Sequence, residues 1–205
     1  MGAETREAEA RGEGRAGVRV IAGTARGLRI QAPEGRDTRP TGDRVREAVF
    51  NALTSLDALE EATVLDLFAG SGALGIEALS RGAAHATFVD TDRRAIRLVE
   101  ANLAATGLAD RALVRSAPAD RVVAEAVEAG LRWDLALLDP PYAFDDWDAL
   151  LLGLPADLAV VESDRSIPPP PGWGVVRERR YGTTLVAVLR STPSTGSARG
   201  TAPSE

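Results

Sequence analysis

The sequence predicts an α/β fold: a doubly wound, mostly parallel seven-stranded sheet with an antiparallel C-terminal hairpin and a small N-terminal β-hairpin. Three observations predict it. From Val64 onward, short apolar runs alternate with stretches of helical periodicity, the pattern of βαβ units joined by right-handed crossovers. A glycine-rich turn, Ala69-Gly70-Ser71-Gly72-Ala73-Leu74-Gly75, follows the first of these runs and opens a helix. The last two strand-like segments are separated only by Tyr181-Gly182, leaving no room for a crossover helix.

The elements follow in order. Residues 1–17 are polar, without periodicity and without an apolar stretch, and are expected to be a disordered tail. Segments 18–23 and 28–32 flank a Gly-bounded turn and read as a basic hairpin. A loop over 38–42 precedes Asp43, a suitable N-cap for a helix over 44–56 in which Val45, Val49, Leu53 and Leu56 recur at helical spacing. Strands are expected over 64–68, 86–89, 112–114, 135–138 and 158–161, with helices over 73–81, 93–106, 119–129 and 147–152. Asp92 is placed to cap the helix from Arg93. Strands over 174–179 and 183–190 end the fold, and 191–205 is a second tail. The chain thus divides into a tail, an extension over 18–56, a main domain over 57–190 and a tail. Trp133, Trp147 and Trp173 read as packing residues and His85 as a surface residue.

Composition narrows the chemistry. A chain of 205 residues with 44% hydrophobic residues is expected to be one domain with a small appendage. With no Cys and a single His, thiolate chemistry is excluded and no metal site is expected. The absence of a signal-like segment leads us to expect the cytoplasm, and no apolar run approaches a membrane span. The net charge is −6, yet Arg15, Arg19, Arg26, Arg29, Arg36, Arg39, Arg44 and Arg46 crowd one segment against Glu34, Asp37 and Asp43. Such a basic segment suits phosphate contacts.

Asp139-Pro140-Pro141-Tyr142 leaves the apolar run Leu135-Ala136-Leu137-Leu138 at the carboxyl end of a strand, where open α/β sheets bind ligands. The carboxylate and the Pro140 carbonyl can accept hydrogen bonds from an exocyclic amine, and the Tyr142 ring can stack on a planar base. A Pro-rich turn with Tyr142 as a surface anchor is the plainer reading of the tetrapeptide alone. In the glycine turn, a carboxylate at Asp66 would repel a pyrophosphate and suits a cationic amino-acid end. That disfavours a dinucleotide and favours S-adenosylmethionine. Asp90 ends the next strand, where a carboxylate can accept both ribose hydroxyls. Ser116 is open to two roles, helix N-cap or lining of an adenine pocket.

In this order the glycine turn, Asp90 and Asp139-Pro140-Pro141-Tyr142 resemble a class I, Rossmann-like S-adenosylmethionine-dependent methyltransferase acting on an amine. The leader Arg39-Pro40-Thr41-Gly42-Asp43-Arg44-Val45-Arg46-Glu47-Ala48-Val49-Phe50-Asn51 resembles that of the ribosomal RNA small subunit methyltransferase D family. Arg19-Val20-Ile21-Ala22-Gly23, Arg26-Gly27 and Val161-Glu162-Ser163 are also similar to that family, so the likeness spans roughly residues 18–190. The resemblance implies N2 methylation of one guanine of 16S ribosomal RNA (guanine 966 in the family's designation), on a partly assembled small subunit, by a monomer.

It implies Asp139, Pro140 and Tyr142 as catalytic residues. The cofactor set is Asp66, Phe68, Ala69, Gly70, Ser71, Gly72, Asp90, Thr91, Ser116 and Ala117. Ala117 stands where family members tend to carry a polar side chain, so a backbone contact must serve there. Pro141, Arg19, Arg26, Arg29, Arg39, Thr41, Arg44 and Arg46 are the RNA-contact candidates. The alternatives are an adenine-N6 methyltransferase of DNA or RNA, which can use the same tetrapeptide, and a non-enzymatic RNA-binding module.

Overall fold

The structure, a computed structural model, describes residues 17–32 and 40–192. An antiparallel hairpin of β1 (Gly17–Arg19) and β2 (Arg29–Gln31) is followed by helix α1 (Pro40–Ser55). Strands and helices then alternate: β3 (Thr63–Leu67), α2 (Ala73–Ser80), β4 (His85–Asp90), α3 (Arg93–Thr106), β5 (Ala112–Ser116), α4 (Ala119–Glu128), β6 (Trp133–Leu138), α5 (Trp147–Gly153) and β7 (Ala156–Ser163). β8 (Trp173–Tyr181) and β9 (Thr184–Ser191) complete the sheet, whose order is β5-β4-β3-β6-β7-β9-β8. β9 runs antiparallel to β7 and β8, and β3 to β7 are parallel to one another. The winding reverses between β3 and β6, which opens a crevice at their carboxyl ends.

Alternation along the strands builds two cores. Val64, Leu135, Leu137, Leu158 and Val160 share one core with the hairpin, α1, α2 and α3. Leu65, Leu67, Ala136, Leu138, Ala159 and Val161 face α4 and α5, where Trp147 is buried and Trp133 and Trp173 pack at the margin. Each fully buried Leu, Val or Ile contributes about 1.5–3 kcal/mol. The hairpin belongs to the first core through Val20, Ala25 and Ile30.

Polar contacts then fix where the hairpin sits. The buried Glu77 carboxylate on α2 accepts the N–H groups of Ile21 and Ala22 at 2.8 and 3.1 Å and pairs with Arg81 at 2.7 Å. The Ser80 hydroxyl accepts from the Ala25 N–H and donates to the Ala22 carbonyl. On α3, Asn102 takes both backbone groups of Gln31 and also donates to the Ser71 carbonyl at 2.8 Å.

These contacts explain two departures from expectation. The hairpin strands are three residues each and not the longer segments expected, because Ile21 and Ala22 spend their N–H groups on Glu77. Helix α1 begins at Pro40, so 40–42 are helical and not loop, and Asp43 lies in the first turn instead of capping it. Proline is at home there, since a first-turn N–H has no intrahelical partner. Asp92 does cap α3, accepting from the Arg94 N–H at 2.8 Å. Gly17 and Ser191, assigned to the tails, close β1 and β9; the expectations for the remaining tail residues fall almost wholly outside the described residues. No described helix is long and apolar enough to cross a membrane.

Gly23 is the tightest point of the docking. It has φ 83°, and a Cβ there would lie 1.7 Å from the Ser80 carbonyl oxygen. Gly23→Ala is therefore expected to lift the hairpin from α2. Hydrogen exchange should show the Ile21 and Ala22 amides losing roughly tenfold or more of their protection, with β3 and β6 unchanged.

Candidate active site

Four neighbouring strands bring acids to one edge of the sheet. Asp66 lies within β3 and is 2% exposed, its Oδ2 accepting the Gly75 N–H at 2.9 Å. β3 ends at Leu67, and Phe68 turns the chain with φ 64°. The Gly70 N–H donates to the Asp90 carboxylate at 2.9 Å, and Gly72, with φ 76°, starts α2. A Cβ on Gly75 would come within 2.3 Å of the Phe88 ring, so only glycine lets α2 approach β3 and β4 this closely. Asp90 ends β4 half-buried and also accepts the Asp92 N–H at 2.9 Å, and Thr91 is exposed beside it.

At the end of β5, Ser116 is exposed and the Ala117 N–H donates to the Asp90 carbonyl at 3.1 Å. The N-cap of α4 is Pro118, so Ser116 does not take the capping role left open for it.

β6 delivers Asp139 half-buried and Pro140 buried, followed by exposed Pro141 and a Tyr142 that is 61% exposed. A turn closes behind them, with the Phe144 N–H donating to the Pro141 carbonyl at 2.8 Å. The Phe144 ring then packs 5.3 Å from Phe68 and 5.1 Å, edge-on, from Trp147. From beyond β7, Arg165 donates to the Tyr142 and Phe144 carbonyls and pairs with Asp145 and Asp164. Sequence reasoning did not find Phe144 or Arg165 as supports of this loop; an aromatic two residues past Tyr142 was the available signal for the first, and Arg165 carried none.

Glu162, in β7, is a further acid that sequence reasoning did not place in the site. Burial pushes its carboxyl up to about 8; Asp139 and Asp66 add to the shift, and Arg46 opposes it. Burial likewise pushes Asp66 up to about 8, against the Gly75 N–H and helped by Asp139 and Asp90. Among the described residues no group of His, Cys, Asp or Glu could hold a metal ion. A cationic ligand therefore suits this edge and an anionic one does not.

Arg19, Arg26 and Arg29 on the hairpin segment and Arg44 on α1 are exposed. Arg46 corrects the expectation of a solvent-facing phosphate contact. It is 6% exposed, and its Nη2 donates to the Arg19 carbonyl at 2.6 Å and to Asp43 at 3.2 Å. Burial lowers its pKa against the opposing carboxylates of Asp43, Glu77 and Glu162. Its role in the fold is to tie α1 to the hairpin. Arg39 lies outside the described residues, and of Thr41 only the helical backbone is described.

Asp66 and Glu162 hold protons in the folded chain at pH values where an unfolded chain has lost them. Their effect is to lower stability as pH rises from about 4.5 through about 8. The melting temperature of the ligand-free protein is expected to fall over that window. Asp66→Asn, which keeps an acceptor for Gly75 without a titration, should flatten the fall; an unchanged slope would contradict the burial of an ionisable group there.

The chain matches the family described as "Conserved hypothetical protein 95" over residues 18–190. It is 38% identical over 183 residues to "Putative rRNA methyltransferase YlbH" of Bacillus subtilis (strain 168), covering 84% of this chain and 98% of that protein. It is 35% identical over 175 residues to "Ribosomal RNA small subunit methyltransferase D" of Escherichia coli (strain K12), covering 80% and 85%. Among solved structures, "Putative methyltransferase yhhF from Escherichia coli" superposes with a TM-score of 0.74 at 34% identity, over 86% of this chain and 98% of that one. With its acids, glycine turn and Asp-Pro-Pro-Tyr loop on a shared fold, the chain belongs to this family of ribosomal RNA small subunit methyltransferases.

Proposed function

We propose that the protein transfers a methyl group from S-adenosylmethionine to the exocyclic N2 of one guanine in 16S ribosomal RNA, the guanine-966 type, with the base flipped out of its stack. It would act in the cytoplasm as a monomer on a partly assembled small subunit, with 18–56 as RNA-binding extension and 57–190 as catalytic domain. The observation that carries this reading is the placement of Asp139 and Pro140 across the β3/β6 reversal from Asp66, with Asp90 on the next strand.

The residues fit the cofactor. Asp66 answers its cationic amino-acid end, Asp90 its ribose hydroxyls, and the Gly70–Gly72 turn allows close approach. Phe68, Ala69, Ser71, Thr91, Ser116 and the backbone of Ala117 complete the pocket. When bound, the cofactor supplies a methyl already activated on a sulfonium. The chain's own task is then alignment, which can be worth roughly 7–11 kcal/mol.

The guanine N2 lone pair is delocalised into the ring. Hydrogen bonds to the Asp139 carboxylate and the Pro140 carbonyl favour a more pyramidal nitrogen, whose lone pair faces the methyl. The amine proton is acidic only after transfer, so Asp139 need not be a strong base. Stacking on Tyr142 is worth about 1–3 kcal/mol and offsets an unstacking cost of a few kcal/mol. Pro141 holds the loop, and Arg19, Arg26, Arg29 and Arg44, joined by Arg39 and Thr41, contact phosphates.

The decisive assay follows tritiated methyl transfer to small-subunit particles, naked ribosomal RNA and DNA, with nucleoside analysis of the product. N2-methylguanosine is expected; N6-methyladenosine would select the adenine enzyme. Asp139→Ala should cut the rate about 100- to 1,000-fold while calorimetry shows the cofactor still bound. Tyr142→Ala should lose more activity than Tyr142→Phe, and equal losses would remove stacking as its role.

A further inference from the structure

The mechanism above leaves Glu162 unused, although it stands beside the reacting group. Leu138 pairs with Val161, so residues 139 and 162 are the next neighbours along β6 and β7, on strands about 4.8 Å apart. Leu137 and Val160 face the core shared with α1, and alternation by two puts Asp139 and Glu162 on that same side. Asp66, two residues past Val64, is there too. The order β3-β6-β7 therefore places Asp139 between the other two acids, with Glu162 level with it and Asp66 level with Leu137, two residues earlier. In the proposed function the cofactor contacts lie on the β3 side of Asp139, and Glu162 flanks Asp139 on the other side. It is half-buried, with Asp139, Asp66 and the Arg46 guanidinium acting on its carboxyl.

We infer that Glu162 reads the target base, accepting the N1–H of a guanine whose N2 amine lies against Asp139 and the Pro140 carbonyl. The inference rests on the guanine-N2 reading and adds to it the residue that selects guanine. Guanine presents N1–H and N2–H side by side, two donors for two neighbouring acceptors. A purine whose N1 carries no proton presents a lone pair instead, and an ionised carboxylate has only acceptors to offer it. Arg46 and a bound N1–H both favour the ionised carboxyl; Asp139 and Asp66 oppose it. Guanine is thus the base that can draw Glu162 into its acceptor form.

The test compares, above pH about 8 where Glu162 is ionised, single-turnover methylation of target-site RNA carrying guanine or 2-aminopurine at the modified position. 2-Aminopurine keeps the 2-amine but has an unprotonated N1. Its missing O6 affects wild type and variants alike and cancels in the comparison. The wild type is expected to favour guanine, and Glu162→Gln, whose amide can donate to N1, to shrink that preference roughly 10- to 100-fold. Glu162→Ala, offering neither donor nor acceptor, should shrink it part of the way and guards against a folding defect peculiar to one variant. An unchanged preference, with both rates reduced alike, overturns the role of Glu162 while N2 methylation by the wild type stands. Absence of N2-methylguanosine from the wild-type reaction overturns the guanine-N2 reading and this one together.

Discussion

Acidic groups buried close together govern this protein. Asp66, Asp90, Asp139 and Glu162 arrive at one edge from β3, β4, β6 and β7, and the fold gives Asp66 and Asp90 backbone N–H partners in place of counter-ions. The Gly70 and Asp92 amides serve Asp90, and Gly75 serves Asp66. Those same hydrogen bonds shape the glycine turn, so its geometry and the acids at the edge are one arrangement. Burial makes the arrangement costly for ionised acids, and a ligand with positive charge relieves that cost.

The second constraint is how the basic hairpin is held. With only a few inward apolar side chains, its position depends on groups that satisfy its backbone. Glu77, Ser80 and Asn102 do this from α2 and α3, and Arg46 does it from α1. Polar contacts of this kind are directional where apolar ones are not. They set the angle at which Arg19, Arg26 and Arg29 are presented.

The sheet was legible because β3, β4, β6 and β7 are largely buried and read as apolar runs between helices of clear period. The Asp-Pro-Pro-Tyr loop was legible because two prolines after such a run leave few conformations. Arg46 was not, since a guanidinium folded inward and one facing solvent have the same letter; Asp43 three residues earlier was the faint sign of a local partner. Glu77 and Asn102 sit among the helical residues of α2 and α3, and their value comes from backbone groups about 55 and 71 positions away. Glu162 became meaningful only through the register of β6 against β7, which no one-dimensional pattern contains. The start of α1 was misjudged because glycine and proline within its first turn imitate a loop.

Asn102 has a consequence beyond support. Its one amide holds Gln31 at the end of the hairpin and Ser71 within the glycine turn. Ordering of either segment reduces the freedom of the other, so the basic hairpin and the glycine turn are energetically linked through one side chain. Any such linkage is reciprocal: whatever factor one ligand contributes to the affinity of the second, the second returns to the first.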